Sequence, residues 1–99
     1  MYEWTLHIER THETAATLDD LLRFDQALRI EPGVISACAS IDPARRHIWA
    51  TLTVPAEDAT TAADAGAASV AVAATVAGLP TGTITGIEVK PAHLALAAA

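Results

Sequence analysis

The sequence predicts a two-layer α+β sandwich, in which one antiparallel sheet of four strands carries two helices on one face. Period-2 alternation of apolar and polar residues marks four strands, and apolar residues at helical spacing mark two helices. The elements follow in the order β-α-β-β-α-β, so the chain divides into two β-α-β halves, Tyr2–Asp42 and His47–Lys90. This order is typical of the ferredoxin-like sandwich, with strand order 4-1-3-2.

The first half begins with a strand and a capped helix. Alternation over residues 2–9 places Tyr2, Trp4, Leu6 and Ile8 toward the core. Thr17, with Asp20 three residues later, approximates a capping box and predicts a helix start. Pro32 and Gly33 end that helix, because Pro cannot continue it and Gly tolerates positive φ. The apolar stripe of the helix consists of Leu18, Leu21, Phe24 and Leu28, with Leu22 beside it.

A hairpin is predicted to join the second and third strands. Residues 34–41 and 47–54 alternate, and a turn over residues 42–46 separates them, with Asp42 at its start and Pro43 next. The residues expected to face the core are Ile35, Ala37, Ala39 and Ile41 from one strand and Ile48, Ala50, Leu52 and Val54 from the other.

The second half continues with a long helix from about Asp58 to Ala77, ended by Gly78. Strand 4 is predicted over Thr83–Lys90, with Thr85, Ile87 and Val89 inward. Ninety-nine residues make one domain, 1–99, with a core over 1–90 and an apolar tail over 91–99.

Composition narrows the classes of function. The net charge is −6, and Arg45–Arg46 is the only adjacent basic pair, so nucleic-acid binding is disfavoured. Cys38 is the single cysteine, which excludes an internal disulfide and a multi-cysteine zinc site. Charges in the first ten residues leave no apolar run for a signal peptide, so a cytoplasmic location is expected. Residues 65–77 are shorter than the roughly 20 a membrane span needs, so no membrane partner is expected.

The open face of the sheet is the first candidate functional surface. His7 and His47 are candidate catalytic acid/base groups, because histidine titrates near neutral pH. Trp49, Glu3 and Cys38 are candidate ligand-binding residues on the same face. The competing interpretation is a sheet face that is polar because it is solvated. A metal site formed by His7, His47 and a carboxylate or Cys38 is a further interpretation, but no close-set HxH or HxxxH pair occurs, so no metal is expected. No P-loop, GxGxxG or CxxC motif occurs either, so no cofactor is expected.

Two polar residues outside that face also leave alternatives open. His12 is expected in the loop after strand 1, either as a further ligand-binding residue or simply solvated. Asp25 lies near the edge of the stripe of the first helix and is expected at the rim or paired with Arg29 at i+4.

The outer side of the second helix is the other candidate surface. No charge occurs from Ala65 through Ile87, and a helix that is apolar all round is usually buried all round. We therefore expect a subunit interface there, although an Ala-rich surface that is merely mildly apolar fits the same pattern. The predicted interface residues are Ala65, Ala68, Val72, Val76, Leu94 and Leu96.

Pro32-Gly33-Val34, between a helix and an alternating strand, resembles small regulatory modules of the ACT type and heavy-metal-associated domains. The copper-binding CxxC of the latter is replaced here by residues 10–13, Arg-Thr-His-Glu, so that function is not implied. ACT-type modules bind amino acids at subunit interfaces, usually with a glycine in the first loop, and no glycine occurs between Tyr2 and Ile30. Dimeric α+β barrel proteins, including cofactor-independent monooxygenases, are also similar in size and topology.

The sequence thus predicts a small cytoplasmic module that binds or regulates, without catalysis, as a homodimer or higher homo-oligomer with a possible small-molecule ligand. The alternative is a cofactor-independent dimeric α+β barrel enzyme, similar to a monooxygenase or isomerase. Its pocket would lie on the open sheet face, with Trp49 lining it and His7 or His47 as acid/base.

Overall fold

The structure is a computed structural model that describes residues 2–92. It contains all six predicted elements in the predicted order. Their bounds are β1 Tyr2–His12, α1 Leu18–Arg29, β2 Ser36–Ile41, β3 His47–Ala56, α2 Ala59–Ala77 and β4 Gly82–Pro91.

The four strands form one antiparallel sheet in the order β2-β3-β1-β4, which is the predicted order read from the other edge. The central strand β1 lies between β3 and β4, with Leu6 opposite Leu52 on one side and Val89 on the other. The ferredoxin-like α+β fold is therefore confirmed. β1 is three residues longer than the alternation over residues 2–9 predicted.

The core lies between the sheet and the two helices. Its largest fully buried side chains come from β1, β3 and both helices: Leu6, Ile8, Ile48, Leu52, Phe24, Leu28 and Val70. Each contributes about 1.5–3 kcal/mol by leaving water. Gly66 lets α2 approach β1 closely, since a Cβ there would lie 3.0 Å from Leu6 Cδ1 and 3.2 Å from Ile8 Cδ1.

Local chemistry fixes both ends of the helices. The capping box at α1 is confirmed: Thr17 Oγ1 accepts from Asp20 N at 3.0 Å, and Thr17 N donates to Asp20 Oδ2 at 2.8 Å. Asp58 caps α2 by accepting from Thr61 N. Gly78 ends α2 in the left-handed region, at φ 68°, and its N–H returns to carbonyls of the last turn.

The apolar stripe of α1 is narrower than predicted. Phe24 and Leu28 are fully buried and Leu21 packs against the core, but Leu18 and Leu22 are 52% and 60% exposed. Leu18 lies at the start of the stripe and Leu22 beside it, so the buried part of the stripe is confined to Leu21, Phe24 and Leu28.

The predicted facing of β2 is wrong at its start. Val34 packs against the core, whereas Ile35 is 55% exposed. The regular strand begins only at Ser36, after the turn that contains Gly33 at φ 84°. Residues 34 and 35 therefore precede the strand and do not follow its alternation.

The predicted facing of Thr85 in β4 is also wrong. The pairing of β4 with β1 shifts by one residue, since Glu9 lies opposite Gly86 while Arg10 lies opposite Ile84. Thr85 is the extra residue of this β-bulge and points to the open face. Ile84 and Val89 pack against the core, and Ile87, on the same side, remains 42% exposed at the sheet edge.

Two further features concern the second half. α2 is the one helix within residues 2–92 that is long and apolar enough to span a membrane by length and composition, although core helices meet the same test. Seven of its residues, including Gly66 and Val70, are buried in the fold. At the end of β4, Pro91 pairs with Trp4 and Ala92 N donates to Glu3 O, so the first residues assigned to the tail join the sheet edge.

Candidate functional site

The open face of the sheet presents rows of side chains that run across the strands. One row contains Cys38, Thr51, His7 and Glu88, which lie opposite one another on β2, β3, β1 and β4. The next row contains Ser40, Trp49 and Glu9, and a third contains His47 and Thr11. The predicted site residues of strands 1, 2 and 3 therefore do share one surface.

His47 is positioned by the β2–β3 turn. Asp42 Oδ1 accepts hydrogen bonds from the N–H groups of Arg46 and His47, both at 2.9 Å. The bond from His47 is the main reason that the pKa of Asp42 is held below its usual value. Arg45 turns the chain with φ 62°. The side chain of His47 is thereby held at the start of β3, beside the end of β1.

A connected chain of hydrogen bonds links His47 to Glu9 through two threonines. Thr85 Oγ1 donates to Glu9 Oε1 at 2.9 Å, Thr11 Oγ1 lies 2.8 Å from Thr85 Oγ1, and His47 Nδ1 lies 3.2 Å from Thr11 Oγ1. A second approach joins Glu9 Oε2 and His47 Nδ1 at 3.7 Å. The bulge in β4 makes this arrangement, because it turns Thr85 to the open face.

The directions of these hydrogen bonds follow from the number of protons. A hydroxyl group has one hydrogen to donate, and Thr85 uses its hydrogen on the Glu9 carboxylate. Thr11 must then donate to the oxygen of Thr85, which leaves the oxygen of Thr11 to accept from His47. The neutral ring of His47 is accordingly protonated at Nδ1, and Nε2 is its acceptor nitrogen.

Trp49 extends this cluster along β3. Its ring stacks with that of His47, with 6.1 Å between centroids and an interplanar angle of 22°. Trp49 is half-buried and lies opposite Glu9 on β1 and Ser40 on β2. An aromatic wall, a carboxylate and a histidine therefore meet at this end of the open face.

His7 belongs to a separate group. Its Nδ1 lies 3.1 Å from Thr51 Oγ1, and both line a shallow pocket of about 200 Å³ together with Thr5, Glu88 and Lys90. Lys90 Nζ lies 3.0 Å from Glu88 Oε1, and this hydrogen bond and charge lower the pKa of Glu88.

The two histidines are not brought together within one chain. His7 lies opposite Thr51, whereas His47 lies opposite Thr11, four residues further along β1. At about 3.3 Å per residue this separation is about 13 Å. Each histidine contacts a threonine of the neighbouring strand, and no group of three His, Cys, Asp or Glu residues within 2–92 could hold a metal ion.

The remaining predicted site residues are dispersed. Glu3 is exposed near the other end of β1, opposite Pro55, and Cys38 is exposed on β2. Asp25 is paired with Arg29 at 2.8 Å, as expected, and also accepts from Ala39 N, so that it ties α1 to β2.

His12 lies in the strand, not in the loop. It is the last residue of β1, is 2% exposed, and its ring nitrogens have no hydrogen-bond partner within the described chain. Burial, and secondly the charge of Arg10, lower the pKa of His12. The sequence contained an indication of this position, because Leu6, Ile8, Arg10 and His12 are spaced two residues apart and so lie on one face of a strand. The indication was missed because Arg10 and His12 are polar and the apolar alternation stops at Ile8.

The outer side of α2 is exposed in the single chain. Ala65 and Ala68 are exposed, and Val72 and Val76 are 48% and 69% exposed. Val76 also borders a shallow groove of about 240 Å³ with Ile30 of α1, which is 81% exposed. Leu94 and Leu96, the other two predicted interface residues, lie outside the described residues.

Comparison of this chain with protein-family models, with curated proteins and with solved structures found no match.

Proposed function

We propose that this protein is a non-catalytic, small-molecule-binding module that works as a homodimer, paired through the outer side of α2. The observation that carries this proposal is the exposure of Val72 and Val76 on a helix side without charge. Large apolar side chains in contiguous exposed patches mark interaction sites on soluble proteins.

The charge distribution favours a second copy of the chain as the partner. Each chain has a net charge of −6, so two copies repel each other over most approaches. The segment from Ala65 to Ile87 has no charged residue, and α2 therefore offers the surface on which two copies approach with the least repulsion. Ile30, beside Val76, extends the apolar area onto α1.

Sedimentation equilibrium at micromolar concentration tests the proposal. We expect a dimer, and we expect Val76→Asp to weaken it at least tenfold, because the variant removes apolar contact and buries a charge. Ile35→Asp is the matched control, since Ile35 is comparably exposed but precedes β2 at the far edge of the sheet. A monomeric wild-type chain, or a dimer that only Ile35→Asp disrupts, would refute pairing through α2.

The separation of His7 from His47 supports a non-catalytic module, because a pocket within one chain does not bring His7, His47 and Trp49 together. The chain of hydrogen bonds from Glu9 to His47 is the specific observation that favours the alternative, a cofactor-independent enzyme with His47 as acid/base. Its pocket would have to be completed by a second copy on the open sheet face.

Isotope-filtered NMR on a dimer that mixes labelled and unlabelled chains separates the two candidates. The binding module predicts no contact between the ring of His7 in one chain and that of Trp49 in the other. Contacts between these rings across the dimer would establish pairing through the open face and would favour the enzyme.

A further inference from the structure

A cleft of about 410 Å³ lies between α2 and the first half of β4. Its volume is within the range of about 300–1,000 Å³ that small-molecule sites occupy. Its lining is mixed, with aliphatic side chains at Val70, Leu79 and Ile84 and polar groups at Arg10, Thr75 and Thr83. The cleft is on the helix side of the sheet, so it is distinct from the open face that carries the two histidine groups.

The bulge in β4 lies directly beside this cleft. The register shifts between Glu9 and Arg10, so that Arg10 lies opposite Ile84 and both line the cleft. Bulges bend a strand and redirect side chains, and they recur next to functional sites. Here the bulge interrupts the regular pairing of β4 with β1 next to Arg10, whose side chain lies on the helix side of the sheet.

Arg10 places a cation without a carboxylate partner in this cleft. Its guanidinium donates one hydrogen bond, from Nη1 to Pro80 O at 3.1 Å, although it has five N–H donors. It takes part in none of the ion pairs found over residues 2–92. Burial lowers the pKa of Arg10, so this cation is partly withdrawn from water. A partly buried arginine without an acidic partner is unusual in a chain with 12 acidic residues.

Gly82 lies at the polar end of the cleft, and the buried ring of His12 lies behind it. Gly82 lines the cleft, and a Cβ added to it would lie 2.8 Å from His12 Cδ2 and 3.1 Å from Arg10 Nη1. The absence of a side chain at this position therefore lets Arg10 and the buried His12 ring lie against the backbone of β4. The ring nitrogens of His12 have no partner there.

We propose that this cleft binds a small aliphatic monocarboxylate, whose carboxylate pairs with Arg10 and whose hydrocarbon part packs between α2 and β4. The planar guanidinium matches a carboxylate in a two-point hydrogen-bonded pair. The aliphatic part of the lining favours a ligand with an apolar body over a bare inorganic anion. The assignment rests on the proposed binding module and names the class of its ligand.

The test is a titration of the ¹⁵N-labelled full chain with sodium hexanoate at pH 7, followed by NMR. We expect saturable shifts at the amides of Thr75, Thr83 and Ile84, with a Kd of about 1 mM or tighter. Neutralisation of the Arg10 charge by the ligand should also raise the pKa of His12. Hexan-1-ol and inorganic phosphate serve as comparison probes, and equal binding of either one overturns the carboxylate or the aliphatic part of the proposal.

Two variants locate the site. Arg10→Gln should weaken hexanoate binding about tenfold or more, whereas Arg29→Gln, which removes an arginine from the far side of the fold, should leave the Kd unchanged. Ala71→Leu narrows the rim of the cleft at an exposed position and should also abolish binding, which keeps the test decisive if Arg10→Gln does not fold. Hexanoate binding that survives Ala71→Leu, or that never saturates, refutes the site.

Failure of this assignment differs from failure of the proposed function. If the chain sediments as a dimer but does not bind hexanoate, only the proposed ligand class is refuted. If it is a monomer that binds hexanoate in the cleft, the pairing through α2 is refuted and the ligand site is supported.

Discussion

The buried ring of His12 predicts a loss of stability in mildly acidic solution. Because burial and the charge of Arg10 lower its pKa in the fold, the unfolded chain, with a histidine pKa of about 6.5, takes up the proton first as the pH falls. The free energy of unfolding therefore decreases below pH of about 6.5, and this contribution stops below the folded-state pKa. One proton sets the limit of the slope at about 1.4 kcal/mol per pH unit.

The carboxylates act in a different range of pH. The pKa values of Asp20, Asp42, Asp58 and Glu88 are lowered by hydrogen bonds in the fold. Their contribution is complete above their unfolded values near about 4 and is lost as the pH falls through the folded-state values. The interval from pH 5.0 to 6.5 consequently isolates the effect of His12 from theirs.

Urea denaturation at several pH values across this interval measures the slope. We expect His12→Phe to flatten it, because phenylalanine fills the same buried space without ring nitrogens to protonate. His7→Gln is the matched control, since it removes a histidine from the exposed sheet face, and it should keep the slope of the unmodified chain. His12→Leu serves if the Phe variant does not fold. A slope in the His12 variants equal to that of the unmodified chain would refute this explanation.

Three further changes test the packing, the helix cap and the open face. Gly66→Ala should destabilise the fold by about 1 kcal/mol in urea denaturation, because crowding of Leu6 exceeds the gain in helix propensity, and Ala65→Gly at an exposed site measures that propensity alone. Thr17→Ala should cost about 1 kcal/mol by the same assay, and Thr17→Ser should restore most of it; equal losses in both would contradict a capping role. Long-range ¹H–¹⁵N spectra at alkaline pH should show the ring proton of His47 on Nδ1, and a proton on Nε2 would contradict the deduced hydrogen-bond directions.

Local sequence features determined most of the fold. Strict alternation in β1 and the capping pair at Thr17 place their elements correctly, and the glycines at 33 and 78 adopt the positive φ that ends a helix or shapes a turn. The strand order follows from the two β-α-β halves. These features depend on neighbours within a few residues, which is why the sequence reveals them.

The errors arise where pairing between distant strands overrides the local pattern. Alternation in β4 pointed Thr85 inward, but its register against Glu9 and Arg10 inserts an extra residue there. Gly86, directly after it, was the available indication of a bulge. His12 was expected in a loop because polarity usually ends a buried strand, yet its backbone N–H pairs with Arg46 O across the sheet.

The candidate site was predictable in composition and not in geometry. The sequence placed His7, His47 and Trp49 on one face, which the register bears out. It did not show that His47 joins Glu9 through two threonines while His7 stays apart, because one of those threonines reaches the face only through the bulge. The cleft at Arg10 was missed for a related reason, since Arg10 meets Pro80, which is 70 residues away in the chain, only through the pairing of β1 with β4.

The bulge gives β4 one residue more than the part of β1 with which it pairs. Deleting Thr85 would restore a regular ladder, because Ile84 would stay opposite Arg10 and Gly86 opposite Glu9, and the residues on either side would keep their faces. The core and the wall of the cleft would be kept, whereas the link from Glu9 to His47 through Thr85 would be lost. Thr85 is therefore a position at which β4 can lose a residue without a change of register, while an insertion or deletion elsewhere in the strand would turn part of it to the opposite face.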